Sequence, residues 1–160
     1  MRTMLLSLLL LLPSLAAAAS DGPAYSHWYD PARDPVADYA AAAADAEKQD
    51  KLVLMILGGD WCSWCHRLDK FISSRPELNE RLHEQFVVMK VNFSEDNENE
   101  AFIGQLPEFL GYPHFFIASA DQEIIGAQNT GLLEEGEGYS LQAIEAFLSQ
   151  WEDYSQKVAK

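Results

Sequence analysis

Cysteine is scarce in this 160-residue chain: there are two, Cys62 and Cys65, three positions apart. A fold stapled by disulfides spreads its cysteines over long loops. A bridge between positions three apart closes a very small ring and contributes only about 2 kcal/mol in the loop-entropy model. The pair is therefore read as chemistry rather than as a staple. Basic residues are also few, 11 Lys+Arg against 25 Asp+Glu, for a net charge of −14. Such a surface repels nucleic acid and anionic lipid, which makes both poor partners, and no nucleic-acid partner is expected. No Gly-rich nucleotide-binding motif occurs. Long apolar runs are absent too. The longest, Leu5 to Leu12, falls short of the roughly 20 residues that span a bilayer.

That Leu run has a different reading. It follows a positive start, Met1-Arg2-Thr3, is broken by Pro13, and precedes Ala16-Ala17-Ala18-Ala19. This is the layout of a secretory signal peptide over residues 1–19, with no membrane insertion after cleavage. No Cys lies near the cleavage region, which argues against a lipoprotein. No KDEL-like signal follows Val158-Ala159-Lys160, which argues against retention in the endoplasmic reticulum. The expected location is periplasmic or otherwise exported. What remains has the length of one domain with a core of its own.

Residues 20–34 read as an irregular extension rich in aromatics, including Tyr25, His27, Trp28 and Tyr29. Asp34-Pro35 reads as an N-cap followed by Pro at the first helical position, opening an Ala-rich helix to Lys48. Leu52 to Leu57 is a short, wholly apolar run ended by Gly58-Gly59, the pattern of a buried strand. The cysteine motif comes next and opens a helix to about Ser73. Ser74-x-x-Glu77 matches a capping box and predicts a further helix to Gln85. Strands are expected at 86–93 and 114–118, a helix interrupted at Pro107 over 101–110, and a strand near 123–127. Residues 131–138 read as loop, and Ser140 as the cap of a last helix reaching about Gln156. Helices alternating with strands predict an α/β sandwich, helices flanking one central mixed sheet, over residues 35–156.

The motif Trp61-Cys62-Ser63-Trp64-Cys65-His66 admits three chemistries. C-x-x-C-H is the attachment signature of a c-type haem. Haem iron commonly takes a second axial ligand, often Met. Beyond the leader only Met55 and Met89 are available, both in predicted core strands, although His27, His83 and His114 offer histidine partners. A zinc site would use Cys62, Cys65 and His66, but a structural site wants four ligands and there is no second Cys pair, so no metal is assigned. The third chemistry is a redox dithiol. At a strand-to-helix junction, unpaired N–H groups and the helix dipole favour a thiolate at Cys62. Cys65, one turn on, lies within bonding reach and more covered. This makes Cys62 the attacking thiol and Cys65 the resolving one.

Taken together, the apolar strand with Gly58-Gly59-Asp60 before Trp61-Cys62-Ser63-Trp64-Cys65, the strand Val87 to Asn92, and Gly111-Tyr112-Pro113 before Phe115-Phe116 resemble the thioredoxin-fold superfamily. The resemblance is nearest to the exported thioredoxin-like group that includes the C-terminal domain of the periplasmic thiol:disulfide interchange reductase. It implies a three-layer thioredoxin-like sandwich and a thiol–disulfide oxidoreductase. No cofactor beyond the redox-active pair is implied. The implied partners are client proteins with cysteines or disulfides, and an upstream protein that donates or accepts electrons. It further implies a cis peptide before Pro113, facing the cysteines, with the backbone of Tyr112 pairing with the client.

The chain departs from the better-known thioredoxins at two points. Ser63-Trp64 separates the cysteines in place of Gly-Pro, and Ile56 stands where thioredoxins bury an acid beneath the resolving cysteine. Both bear on the reduction potential and so on the direction of electron flow. Asp60, His66, Lys90 or water are the alternatives for handling the proton of Cys65. Trp61 and Trp64 are expected to form an apolar collar that holds clients. A rival function, a client-binding or chaperone-like module with incidental redox activity, uses the same collar.

Overall fold

A computed structural model describes residues 23–158, with side chains to residue 152. The leader read at 1–19 lies outside the described residues. In chain order the elements are α1 (Pro35–Gln49), β1 (Leu52–Gly58), α2 (Ser63–Ser73), α3 (Pro76–Gln85), β2 (Phe86–Asn92), α4 (Glu100–Ile103), β3 (His114–Ala118), β4 (Ile124–Asn129), β5 (Glu134–Glu135), β6 (Gly138–Tyr139) and α5 (Leu141–Val158). Short 3-10 turns cover Ala24–Ser26 and Thr130–Leu133.

The main sheet has the order β2-β1-β3-β4, and β5 and β6 form a separate two-stranded ladder. β1 runs parallel to β2 and antiparallel to β3, and β3 is antiparallel to β4. The sheet is therefore mixed, as expected. β1 is apolar throughout because it is central and covered on both faces. Leu54 and Ile56 face a core shared with α2, α3 and α5. Val53, Met55 and Leu57 face a second core built on Ala42, Ala43 and Ala46 of α1 and Phe102 of α4. The period of two along a strand assigns alternate residues to opposite layers. Each fully buried aliphatic or aromatic side chain adds about 1.5–3 kcal/mol.

α1 begins as the sequence indicates, with Asp34 accepting a hydrogen bond from the Val36 N–H at 2.9 Å and Pro35 in the first turn. It ends at Asp50, whose φ of 54° places it in the left-handed region. The expected capping box at Ser74 does not form. Ser74 closes α2, and its hydroxyl donates back to the Phe71 carbonyl at 3.2 Å. α3 starts instead at Pro76, with no side-chain cap at Arg75. Arg75 is committed elsewhere, its guanidinium lying 3.6 Å from the Phe71 ring centroid.

The helix expected over 101–110 is one turn only, ending at Ile103. Pro107 disfavours helical backbone at the residue before it, and an irregular path follows to Tyr112. The fourth strand runs to Asn129, two residues beyond the expected 127. The expected loop at 131–138 contains most of a 3-10 turn and the β5–β6 ladder. The N-terminal extension is packed rather than peripheral, with Tyr25 and Tyr29 both buried.

His114 opens β3 in an apolar setting, its ring 5.0 Å from Phe116 and 5.7 Å from Phe109. Its Nδ1 has no hydrogen-bond partner among the described residues. Burial lowers its pKa below the usual 6.5. As pH falls through about 6.5, the unfolded chain takes up this proton before the folded one, so this contribution to stability is present above that pH and lost below it. Thermal unfolding of wild type and His114→Phe between pH 7 and pH 5 checks this. Wild type is expected to lose ground relative to the variant as pH falls, and a constant gap contradicts the assignment.

Candidate active site

Cys62 and Cys65 are joined as a disulfide, with Cα atoms 5.2 Å apart. Cys62 is the N-cap residue of α2 in extended backbone, φ −84° and ψ 103°. The Cys65 N–H donates to Cys62 Sγ at 3.1 Å. Local sequence explains this geometry. Gly58 and Gly59 end β1, the Cys62 N–H turns back to the Gly59 carbonyl at 3.0 Å, and the His66 N–H reaches the Cys62 carbonyl at 3.2 Å to start the helix. The sulfur that caps a helix N-terminus faces its free N–H groups and positive dipole end. That favours the anion by about 0.3–1 kcal/mol, and up to ~2 when partly buried. The expected contrast in exposure is small: Cys62 is 4% exposed and Cys65 0%.

Trp61 is anchored yet open. Its indole N–H donates to the Phe93 carbonyl at 2.6 Å, while the residue remains 57% exposed. Gly59 is required beside it, since a Cβ there would lie 2.3 Å from the indole nitrogen and 2.5 Å from that carbonyl. The Trp61 ring meets Tyr112 edge-on at 5.4 Å, so the Gly-Tyr-Pro turn and the cysteine motif adjoin. Tyr112 also stacks on Phe93 at 5.2 Å. The Tyr112–Pro113 bond is cis, and the Pro113 carbonyl accepts a hydrogen bond from the Thr130 hydroxyl. A cleft of about 880 Å³ opens next to Trp61, lined also by Trp28, Phe93 and the acidic residues Asp60, Glu95, Asp96 and Glu98.

Trp64 is placed differently from Trp61. It is half-buried, edge-on to Tyr139 at 5.6 Å, with the Arg67 guanidinium 4.8 Å from its ring centroid. Its backbone carbonyl accepts from the Tyr139 hydroxyl at 3.3 Å. Of the two tryptophans expected in the collar, Trp61 is the exposed one.

The residues considered for tuning separate into two groups. His66 and Asp60 lie on the surface and engage each other, with His66 Nε2 at 2.6 Å from the Asp60 carbonyl and 3.5 Å from its carboxylate. Lys90 lies inside, ion-paired with Asp69, its Nζ 4.9 Å from the centroid of the Tyr29 ring. Ile56 pairs in register with Lys90 on one side and Phe115 on the other, and packs in the core that holds both cysteines.

Sequence reasoning missed Tyr29. It shares that core with the cysteines, and its hydroxyl has no hydrogen-bond partner among the described residues. An unmet buried hydroxyl costs about 1–3 kcal/mol. The available signal was a pair of facts left unconnected: a missing acid at Ile56, and an aromatic cluster in the extension.

A disulfide across the first turn of a helix, after a buried central strand and beside a cis-proline turn, defines a thioredoxin-like fold with a redox-type cysteine pair. Residues 34–120 match the thioredoxin-like family, and the chain belongs to it. No curated protein matches the sequence. In fold it is similar to a disulphide isomerase from Xylella fastidiosa Temecula1, 22% identical, with a TM-score of 0.66 over 76% of this chain and 94% of that one. It is also similar to the oxidised C-terminal domain of DsbD from Neisseria meningitidis, 20% identical, with a TM-score of 0.54 over 75% of this chain and 95% of that one.

Proposed function

We propose that the protein is an exported thiol–disulfide oxidoreductase acting on the disulfides of client proteins. The observation that carries this reading is the Cys62–Cys65 bridge itself, set with Cys62 as the helix cap and Cys65 one turn inside. In the reducing direction a partner dithiol first opens the bridge, giving up two electrons. The Cys62 thiolate then attacks one sulfur of a client disulfide, and the other client sulfur leaves as a thiolate. Cys65, as thiolate, attacks Cys62 Sγ, reforms the bridge and releases the second client sulfur. The released thiolates take protons from water. Run backwards, the same steps oxidise a client. No dissociable cofactor takes part.

Trp61, Tyr112 and Pro113 form the ledge on which the client lies, since Trp61 offers an open ring and Tyr112 joins it to the Gly-Tyr-Pro turn. Trp64, half-buried against Tyr139, adds its remaining exposed edge to the client surface. Export rests on the leader-like sequence of residues 1–19.

A second reading, a client-binding module with incidental redox chemistry, draws on the exposed rings of Trp28 and Trp61. Reduction of insulin disulfides with a small dithiol as electron source separates the two. Catalysis that is lost in Cys62→Ser supports the oxidoreductase. Binding of unfolded clients that persists in Cys62→Ser, with no catalysis by wild type, supports the module. The haem reading is tested by a visible spectrum of the exported protein, where a Soret band would overturn the dithiol assignment.

A further inference from the structure

Gly58, the last residue of β1, has two buried groups converging on the place a side chain would take. A Cβ at that position would lie 2.5 Å from Cys65 Sγ and 3.0 Å from the Tyr29 hydroxyl oxygen. The hydroxyl is buried and unpartnered, and such groups in folded proteins call for an explanation. In a bridged pair, the sulfur of Cys65 is a weak acceptor. As a thiolate it is a strong one, because hydrogen bonds to an ionised group are roughly twice as strong as those between neutral groups.

We propose that Tyr29 is the hydrogen-bond donor to the Cys65 sulfur whenever that sulfur carries negative charge. The proposal rests on the dithiol reading above and deepens it. When a partner thiolate attacks Cys62 Sγ, the sulfur–sulfur bond breaks and its electron pair goes to Cys65. The Tyr29 O–H then turns to that thiolate and holds it without surrendering its proton. Water finally protonates Cys65. In the resolving direction the same hydrogen bond keeps a larger share of Cys65 ionised, ready to attack Cys62 Sγ.

The surroundings suit a donor rather than a base. Burial, with Asp69 and Tyr139 adding to it, pushes the Tyr29 phenol well above its ordinary value of 10, so it stays protonated at neutral pH. The charged and titratable groups facing it are Lys90 from β2, Asp69 from α2 and Tyr139 from β6. Lys90 and Asp69 are paired with each other, whereas the Tyr29 hydroxyl has no partner among the described residues and flanks Gly58 together with Cys65 Sγ. Ile56, in the same core, has no polar side-chain atom to offer. Tyr29 thus does from the N-terminal extension what no side chain of β1 does.

Tyr29→Phe removes one oxygen atom and keeps the ring. In a Cys62→Ser background, ultraviolet titration of the remaining Cys65 thiol is expected to show about tenfold less thiolate at a given pH once the hydroxyl is gone, one unit of titration. The Cys62 thiol, titrated in a Cys65→Ser background, is expected to be unmoved. Resolution of a preformed mixed disulfide on Cys62 should slow at pH 7 by about threefold, since the thiolate of higher pKa is the better nucleophile and offsets part of the lost ionisation, and should recover at a pH where Cys65 is fully ionised. An unchanged Cys65 titration, an equal shift at both thiols, or slowing at every pH overturns the proposal. Infrared difference spectra of wild type provide a check that needs no variant: reduction above the Cys65 pKa should shift a tyrosine C–O band, and no shift overturns it. If thiol buffers cannot reduce the wild-type pair at all, the oxidoreductase reading fails. If they reduce it but Cys65 titrates alike with and without the hydroxyl, only the role of Tyr29 fails.

Discussion

Cys65→Ser is expected to turn the protein into a trap. Cys62 still attacks a client disulfide, but nothing inside the molecule can attack Cys62 Sγ in return, because a serine hydroxyl is not ionised at neutral pH. Mixed disulfides between Cys62 and clients should accumulate and run as adducts on a non-reducing gel. Turnover should be lost, because each cycle stops at the mixed disulfide. Cys62→Ser should lose turnover to the same extent but yield no such adducts. The asymmetry comes from position rather than exposure. Cys62 is 4% exposed and Cys65 0%, a slim difference, whereas only Cys62 sits at the helix cap with the Cys65 N–H donating to its sulfur. Adducts that form with Cys62→Ser and not with Cys65→Ser would reverse the assignment.

Gly58→Ala is expected to disturb both the bridge and the fold. The added methyl would stand 2.5 Å from Cys65 Sγ and 3.0 Å from the Tyr29 hydroxyl. Neither neighbour is free to swing aside, since the sulfur is bonded to Cys62 and both residues are buried in one core. Overpacking of this kind costs about 1–3 kcal/mol, a drop of several degrees in Tm for a domain of this size. The oxidised form should suffer, and the rate of bridge formation from the dithiol should fall with it. Unfolding curves measured on oxidised and reduced protein check this. A variant as stable as wild type in both states would show that the space behind Cys65 is not filled as described.

Much of the architecture was legible because its signals are local and strong. Leu52 to Leu57 is apolar at every position and is ended by two glycines, the pattern of a short strand covered on both faces. Asp34-Pro35 carried the start of α1, and Gly58-Gly59 the end of β1. The readings that failed rested on weaker patterns. Ser74-x-x-Glu77 matched a capping box, but Pro76 fixes the start of α3 and Ser74 already belongs to the end of α2. The helix over 101–110 was expected to be interrupted at Pro107, and it is one turn only, ending at Ile103.

At the site, the adjacent cysteines and the Gly-Tyr-Pro turn were readable as spaced motifs. The role proposed for Tyr29 was not, because its place beside Gly58 and Cys65 brings together residues far apart in the chain. Lys90 was named, but its commitment to Asp69 across two elements leaves no trace in either stretch of sequence. Trp61 and Trp64 look alike in the motif and part company only when Tyr139 covers one of them.

The central claim is that the cysteine pair is itself the reagent. An equilibrium titration of the exported protein in thiol–disulfide buffers tests it most directly, with the redox state read by thiol labelling and intact mass. The account predicts one reversible transition, with a slope of about 29.6 mV per tenfold change as a two-electron couple requires. The mass should differ only by the two hydrogens of the bridge. A one-electron slope of about 59 mV, a pair that never titrates, or a mass carrying a covalently held group on the two sulfurs would contradict it.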